Sequence, residues 1–406
     1  MQKESGREVI RPLTGIRGVT IALVVATHFW KPIVIFVPWL ASVMEVVRQM
    51  SFRMDIIFML SGFVISYVYI SMTRKLSAKG YRDFLLGRVA RLYPSYLVAM
   101  AITVTGVAVC RYKDIPVEFD CPISALPVKL FLLQAWPSME WALMTWNYPT
   151  WFLSALAFGY IVVFPFCWVL VHRLRESRFT VLLWVLVPPL LWRVLRFTES
   201  LGEFYHVIQV SCDFISGCAL MVLFRQGGRF VALAQKHLDK TTIVLVLLTI
   251  LSVKVPKELF DNVVDVIVVM LPLFLAGLTA ERSLLARLMA TRPMVWLGGV
   301  SFALFLTHAW VLKFFKLVLP AANYADSSVL VRYSILAAYV AGMMVVALMM
   351  YQLVELPCAN ALKKVFLPRK ADKQTAGKPA DTREGLPVTK PYASCDSLAP
   401  GKSQGS

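Results

Sequence analysis

Arg17 and His28 stand eleven residues apart in the stretch R-P-L-T-G-I-R-G-V-T-I-A-L-V-V-A-T-H-F-W, which runs from Arg11 to Trp30. An apolar run of this length enters a bilayer as a helix. At about 1.5 Å and 100° per residue, the two side chains lie on one face about 16 Å apart. An ionisable group in a spanning helix costs roughly 2.5–3.5 kcal/mol on insertion scales, so it invites a chemical role. A guanidinium near one membrane surface would bind an anion. An imidazole toward the other would move a proton. The plainer account is that Arg17 snorkels to the headgroups and His28 caps the helix at the interface.

Other residues extend both halves of that pattern. Arg88 and Arg91, in G-R-V-A-R-L-Y-P, are three apart and share a helix face. Guanidinium groups bind phosphate bidentately, so Arg17, Arg88 and Arg91 at one membrane face could grip a phosphorylated ligand. Ordinary loop charge is the alternative. Asp55, in F-R-M-D-I-I-F, sits in the first turn of its segment and could orient His28, or simply favour a helix N-terminus. Ser61 and Gly62 read as close helix-packing residues. Asp213 lies well inside an apolar segment, which points to function or to a buried partner. His308, counted along its helix, reaches the depth of His28, so the two histidines could share a cavity. Trp151 closes the aromatic loop M-E-W-A-L-M-T-W-N-Y-P-T-W. Such rings form interfacial belts and also stack on sugars. Arg193 and Arg196, at the end of their segment, read as snorkelling or acceptor-binding residues.

The elements that must position these side chains are membrane helices. Of 406 residues, 58% are hydrophobic and 16% charged, and the mean hydropathy is +0.66. The polar surface is too small for a soluble globule, so the fold expected is an all-α polytopic membrane helix bundle. About ten transmembrane helices are expected, at residues 13–29, 52–72, 92–110, 151–171, 181–195, 206–224, 241–253, 263–279, 295–312 and 329–354. A further stretch, 126–136, is too short to cross and reads as one re-entrant segment. The net charge of +18 would suggest nucleic acid in a soluble protein. Here the basic residues cluster in short loops, six of them at 73–91 and four at 225–240, so orientation explains them without nucleic acid. Rich and poor loops alternate if both termini are cytoplasmic. Arg17 then lies at the inner end of its helix and His28 in the outer part. Residues 1–360 form the membrane domain, and 361–406 read as a disordered basic cytoplasmic tail. No cleavable signal peptide is expected. The seven cysteines have no metal-ligand spacing, and no metal is expected. Cys110 and Cys121 flank one loop that a disulfide could close. No internal repeat stands out, which argues against repeat-built transporter folds.

Taken in order, these segments resemble the membrane acyltransferase-3 family, the bacterial integral-membrane glycan O-acyltransferases. That family's L-D-G-L-R-G helix ending in histidine is matched by L-T-G-I-R-G and His28. Its D-L-F-F-V-L-S-G-F is matched by D-I-I-F-M-L-S-G-F, and its R-x-x-R-I-Y-P by Arg88, Arg91, Tyr93 and Pro94. W-S-L-S-V-E-E corresponds to W-F-L-S-A-L-A from Trp151. L-G-x-I-S-Y-S-L-Y-L-W-H corresponds to L-G-G-V-S-F-A-L-F-L-T-H, and V-E-R-P to V-E-L-P with Glu355 and Pro357. The match covers most of residues 10–360. It departs where the acidic pair becomes Leu156 and Ala157, where Asp becomes Thr14, and where Tyr becomes Phe302 and Phe305.

The resemblance implies transfer of an acyl group, most simply acetyl, from cytoplasmic acyl-CoA to a hydroxyl of a cell-envelope or exported glycan. It implies a bacterial inner-membrane enzyme with no bound cofactor, acyl-CoA as co-substrate, a glycan or lipid-linked sugar as acceptor, and polysaccharide-assembly proteins as partners. Arg17, Arg88 and Arg91 would hold the CoA phosphates. His28 would act as general base or acyl carrier, with Asp55 behind it. A transporter or flippase of a sugar-linked molecule would use the same charges without chemistry. A scaffold or sensor in polysaccharide assembly would need none of them.

Overall fold

The computed structural model describes residues 10–70, 77–117, 121–173, 177–196 and 199–366. Most of the basic tail and part of the loop at 73–91 lie outside the described residues. Among the described residues the fold is helical throughout. The elements are α1 (Arg11–His28), α2 (Trp30–Phe36), α3 (Ala41–Gln49), α4 (Arg53–Ile65), α5 (Ala78–Tyr112), α6 (Ala125–Leu130), α7 (Trp151–Phe158) and α8 (Phe164–Arg173). They continue with α9 (Arg178–Leu195), α10 (Tyr205–Gln226), α11 (Arg229–Lys254), α12 (Lys257–Gly277), α13 (Leu284–Met289), α14 (Arg292–Val318), α15 (Val329–Met349) and α16 (Leu356–Phe366).

Seven helices are long and apolar enough to cross a membrane, and nine if each of two bent pairs counts as one span. The remaining expected segment, 241–253, is the second half of α11. Its apolar run is short because Lys236, Asp239 and Lys240 occupy the turns before it. The stretch at 126–136 forms only the short α6 and then irregular turns, so it does not cross as a helix. Residues 361–366, expected to begin a disordered tail, instead continue α16. The helix persists because it packs along α5 and buries Ala359. Cys110 and Cys121 are free thiols, so no disulfide closes their loop.

Two close helix crossings place the chemistry. α1 packs along α14. A Cβ on Gly18 would strike the Gly298 backbone, and a Cβ on Gly298 would strike the Thr14 carbonyl. Small residues let the backbones approach this closely in a bundle without a hydrophobic drive between helices. From that contact both helices run the same way, and ten residues on each carries its histidine, His28 and His308. The second crossing joins α4 to α10, with Gly62 against the Phe214 carbonyl and Gly217 against that of Met59. Asp55 lies seven residues before Gly62 and Asp213 four before Gly217, so both carboxyls fall on the contact faces.

Local breaks complete the arrangement. α1 ends at His28, and α2 leaves at 74°. Pro32 is four residues on, so it cannot donate to the His28 carbonyl and its ring crowds that group. Three π turns, Ser66–Ile70, Gly159–Val163 and Met350–Glu355, interrupt other helices. Such turns recur at functional sites.

Candidate active site

A cavity of about 430 Å³ lies between α1, α4, α5, α7 and α14. Arg17, Arg88, Arg91 and Lys363 give it a basic part, and Tyr69 and Tyr160, from two of the π turns, add hydroxyls. Ile21, Ile57, Phe152 and Phe305 line an apolar part. The three arginines singled out from sequence therefore meet at one site. Arg17 donates to the Gly298 carbonyl at 2.6 Å. Arg88 donates to the Tyr69 hydroxyl at 3.0 Å and packs over the Tyr69 and Phe84 rings. The buried Nε–H groups of Arg17 and Arg88 have no protein acceptor among the described residues. Glu355, buried in the third π turn, feels the charges of Arg91 and Arg17. One carboxylate thus faces several cations, and the excess suits an anionic ligand such as a phosphate group.

Sequence reasoning missed Lys363 and Glu355 as members of this site. Lys363 had been placed in the tail, whereas Glu355 stood within the V-E-L-P echo. Only the docking of α16 on α5 brings them to the cavity.

The histidines form a second cluster. The rings of His28 and His308 stack, with centroids 5.1 Å apart and planes 30° apart. His308 is fully buried, and its Nδ1 lies 2.6 Å from the Phe305 carbonyl oxygen. A carbonyl can only accept, so Nδ1 carries the proton and Nε2 keeps a bare lone pair. That Nε2 is buried without a partner among the described residues. His28 is half-buried, and its Nδ1 is 2.7 Å from the Tyr148 hydroxyl. Tyr148 belongs to the loop that closes over this end of α1. Asn147 ties that loop to α14 through the Leu306 carbonyl at 3.3 Å, and Gln134 ties it internally to Thr150.

Asp55 does not orient His28. Its two oxygens accept from Arg193 at 3.2 and 3.1 Å, and the first also accepts from the Trp192 indole at 3.1 Å. The buried carboxylate takes the guanidinium that α9 brings against it, and Tyr148 holds the place beside His28 instead. Asp213, also fully buried, hydrogen-bonds to Asp55. Arg193 reaches on to Asp265 at 3.7 Å, while Arg196 pairs with Asp261 at 2.7 Å and Asp265 at 3.3 Å. Both arginines are thus engaged by carboxylates from α12, and neither snorkels. Asp213 belongs to this ionic cluster and not to the histidine pair. Trp151 stacks on His206 at 4.5 Å, next to but apart from His28.

In comparison with known proteins, a family model described as an acyltransferase domain matches residues 11–352, from the start of α1 into the third π turn. No curated protein and no solved structure matches the chain.

Proposed function

The chain belongs to the acyltransferase-3 family, and on that premise we propose that it moves an acyl group, acetyl first among them, from acyl-CoA to a glycan hydroxyl. The observation that carries this reading is the cavity. Arg17, Arg88 and Arg91 converge there with buried N–H groups left over, and its far end abuts the histidine pair. Acyl-CoA has the matching form: a highly anionic head, a slender arm and a reactive thioester at the tip. The alternation of basic loops puts the arginine end at the cytoplasm, where acyl-CoA is made, and the histidine end at the outer face of a bacterial inner membrane.

His28 acts as general base. With Nδ1–H donated to the Tyr148 oxygen, Nε2 is bare and takes the proton of the acceptor hydroxyl. The resulting oxygen attacks the thioester carbonyl, forming the C–O bond as the C–S bond breaks. The departing thiolate takes the proton back from His28, so the products are ester and free thiol. The Arg17 and Arg88 donors hold the phosphates and place the thioester, a contribution of position rather than chemistry. His308 supports the His28 ring from its other face.

The test is free-thiol release from acetyl-CoA by the protein in nanodiscs, with an envelope-glycan extract as acceptor. Wild type should turn over, and His28→Ala and Arg88→Ala should not. No release with any acyl-CoA, alongside saturable sugar binding that needs no CoA, would replace the enzyme with a transporter.

A further inference from the structure

The cavity stops short of the histidines. Phe152 and Phe305 are in its wall; His28 and His308 are not. The two phenyl rings meet edge to face with centroids 5.2 Å apart. Behind them, the His308 ring lies 5.7 Å from that of Phe305 and stacks on His28. Phe152 is braced on another side by Phe58, nearly parallel at 5.1 Å. All three phenyl rings are buried. Phe305 is also pinned through its backbone, because its carbonyl holds His308 Nδ1. The partition between cavity and histidines is therefore packed aromatic core, with little room to give.

This order decides what meets the partition when acyl-CoA fills the cavity. The phosphates rest on the arginines, and the arm runs past Ile21 and Ile57. The acyl group lies beyond the thioester, so it is the part that presses on the two rings. We propose that Phe152 and Phe305 are the stop that sets the acyl-chain length, restricting the donor to short acyl groups. The proposal rests on the acyl-CoA reading above. A chain longer than the stop admits must displace rings from a filled core, the situation in which added methylenes are poorly tolerated. A pocket wall of this kind discriminates by roughly 10- to 200-fold per methylene. The competing way out is sideways at Val64, a cavity residue that is 40% exposed on α4. A chain leaving there would lie in lipid, and its length would not matter.

Thiol release is measured in nanodiscs with acetyl-, butyryl-, hexanoyl- and octanoyl-CoA, for wild type, Phe305→Leu, Phe152→Leu and Phe305→Ala. Wild type should favour acetyl-CoA over octanoyl-CoA by at least about tenfold. The Phe305 and Phe152 variants should lower that ratio by about tenfold and raise the octanoyl rate itself, which mere damage to the fold cannot do. The leucine variants keep an apolar side chain at each site, so the test survives if Phe305→Ala does not fold. Acetyl turnover in wild type with an equal octanoyl rate would overturn the stop and leave the donor reading intact. So would folded variants whose rates fall equally for every chain length. No thiol release from any acyl-CoA would overturn the donor reading, and the stop with it.

Discussion

Two buried ionic clusters lie in this bundle, and they are built on opposite terms. Around Asp55, Arg193 faces Asp55 and Asp265, Arg196 faces Asp261 and Asp265, and Asp213 shares a hydrogen bond with Asp55. Cations and carboxylates there answer one another. Around Arg17, cations outnumber the single carboxylate of Glu355, and buried N–H groups are left over. The neighbouring His308 Nε2 is likewise bare. A buried polar group without a partner is costly, so it persists where something else completes it. A charge in a membrane helix therefore does not by itself distinguish structure from chemistry. The balance of its neighbours does.

That contrast can be broken most sharply at His28. His28→Ala should cut acyl transfer by about 10²- to 10⁴-fold, the usual worth of a positioned acid–base group, with the detergent melting temperature nearly unchanged. A large loss of stability in this variant would place His28 among the structural residues. At the other cluster the effect should be on stability. Asp55→Ala strands the Arg193 guanidinium and should cost about 3–5 kcal/mol, read as a lower melting temperature and less folded protein in the membrane. Replacing both, as Asp55→Leu with Arg193→Leu, should recover part of that loss, because no lone charge remains. A double variant no better than the single would show that the pair does more than balance charge.

Arg88→Ala sharpens the comparison from the side of the unpaired cations. Removing a charge-assisted contact worth about 1.5–3 kcal/mol should raise KM for acyl-CoA by about 10- to 100-fold. Stability should hold, since the lost contact is to ligand. The smallest effect is expected from Tyr148→Phe. It removes one hydrogen bond of about 0.5–1.5 kcal/mol, so kcat should fall by roughly 2- to 10-fold with KM little changed. An unchanged kcat would mean that the Tyr148 hydroxyl does not orient His28.

The bundle could be read from the chain because long apolar runs have few places to go but the bilayer. Arg17, Arg88 and Arg91 could be grouped because topology put them at one face, and they do line one cavity. The two histidines could be matched by depth, since α1 and α14 run in parallel from the Gly18–Gly298 contact. Asp55 was misassigned for a physical reason. Its position at a helix start was visible, but its partner Arg193 is 138 residues away, across a crossing that local pattern does not reveal. Tyr148 was hidden likewise among interfacial aromatics, 120 residues from His28.

Composition and spacing thus determined the solvent, the helices and the residues that carry charge, because each of these depends on neighbours along the chain. Tertiary packing decided which charges are matched, which imidazole nitrogen stays bare, and where the donor cavity ends. Those outcomes depend on which helix faces meet. In a membrane, where helices do not associate to escape water, close backbone approach at a few glycines and the pairing of buried polar groups settle the meeting.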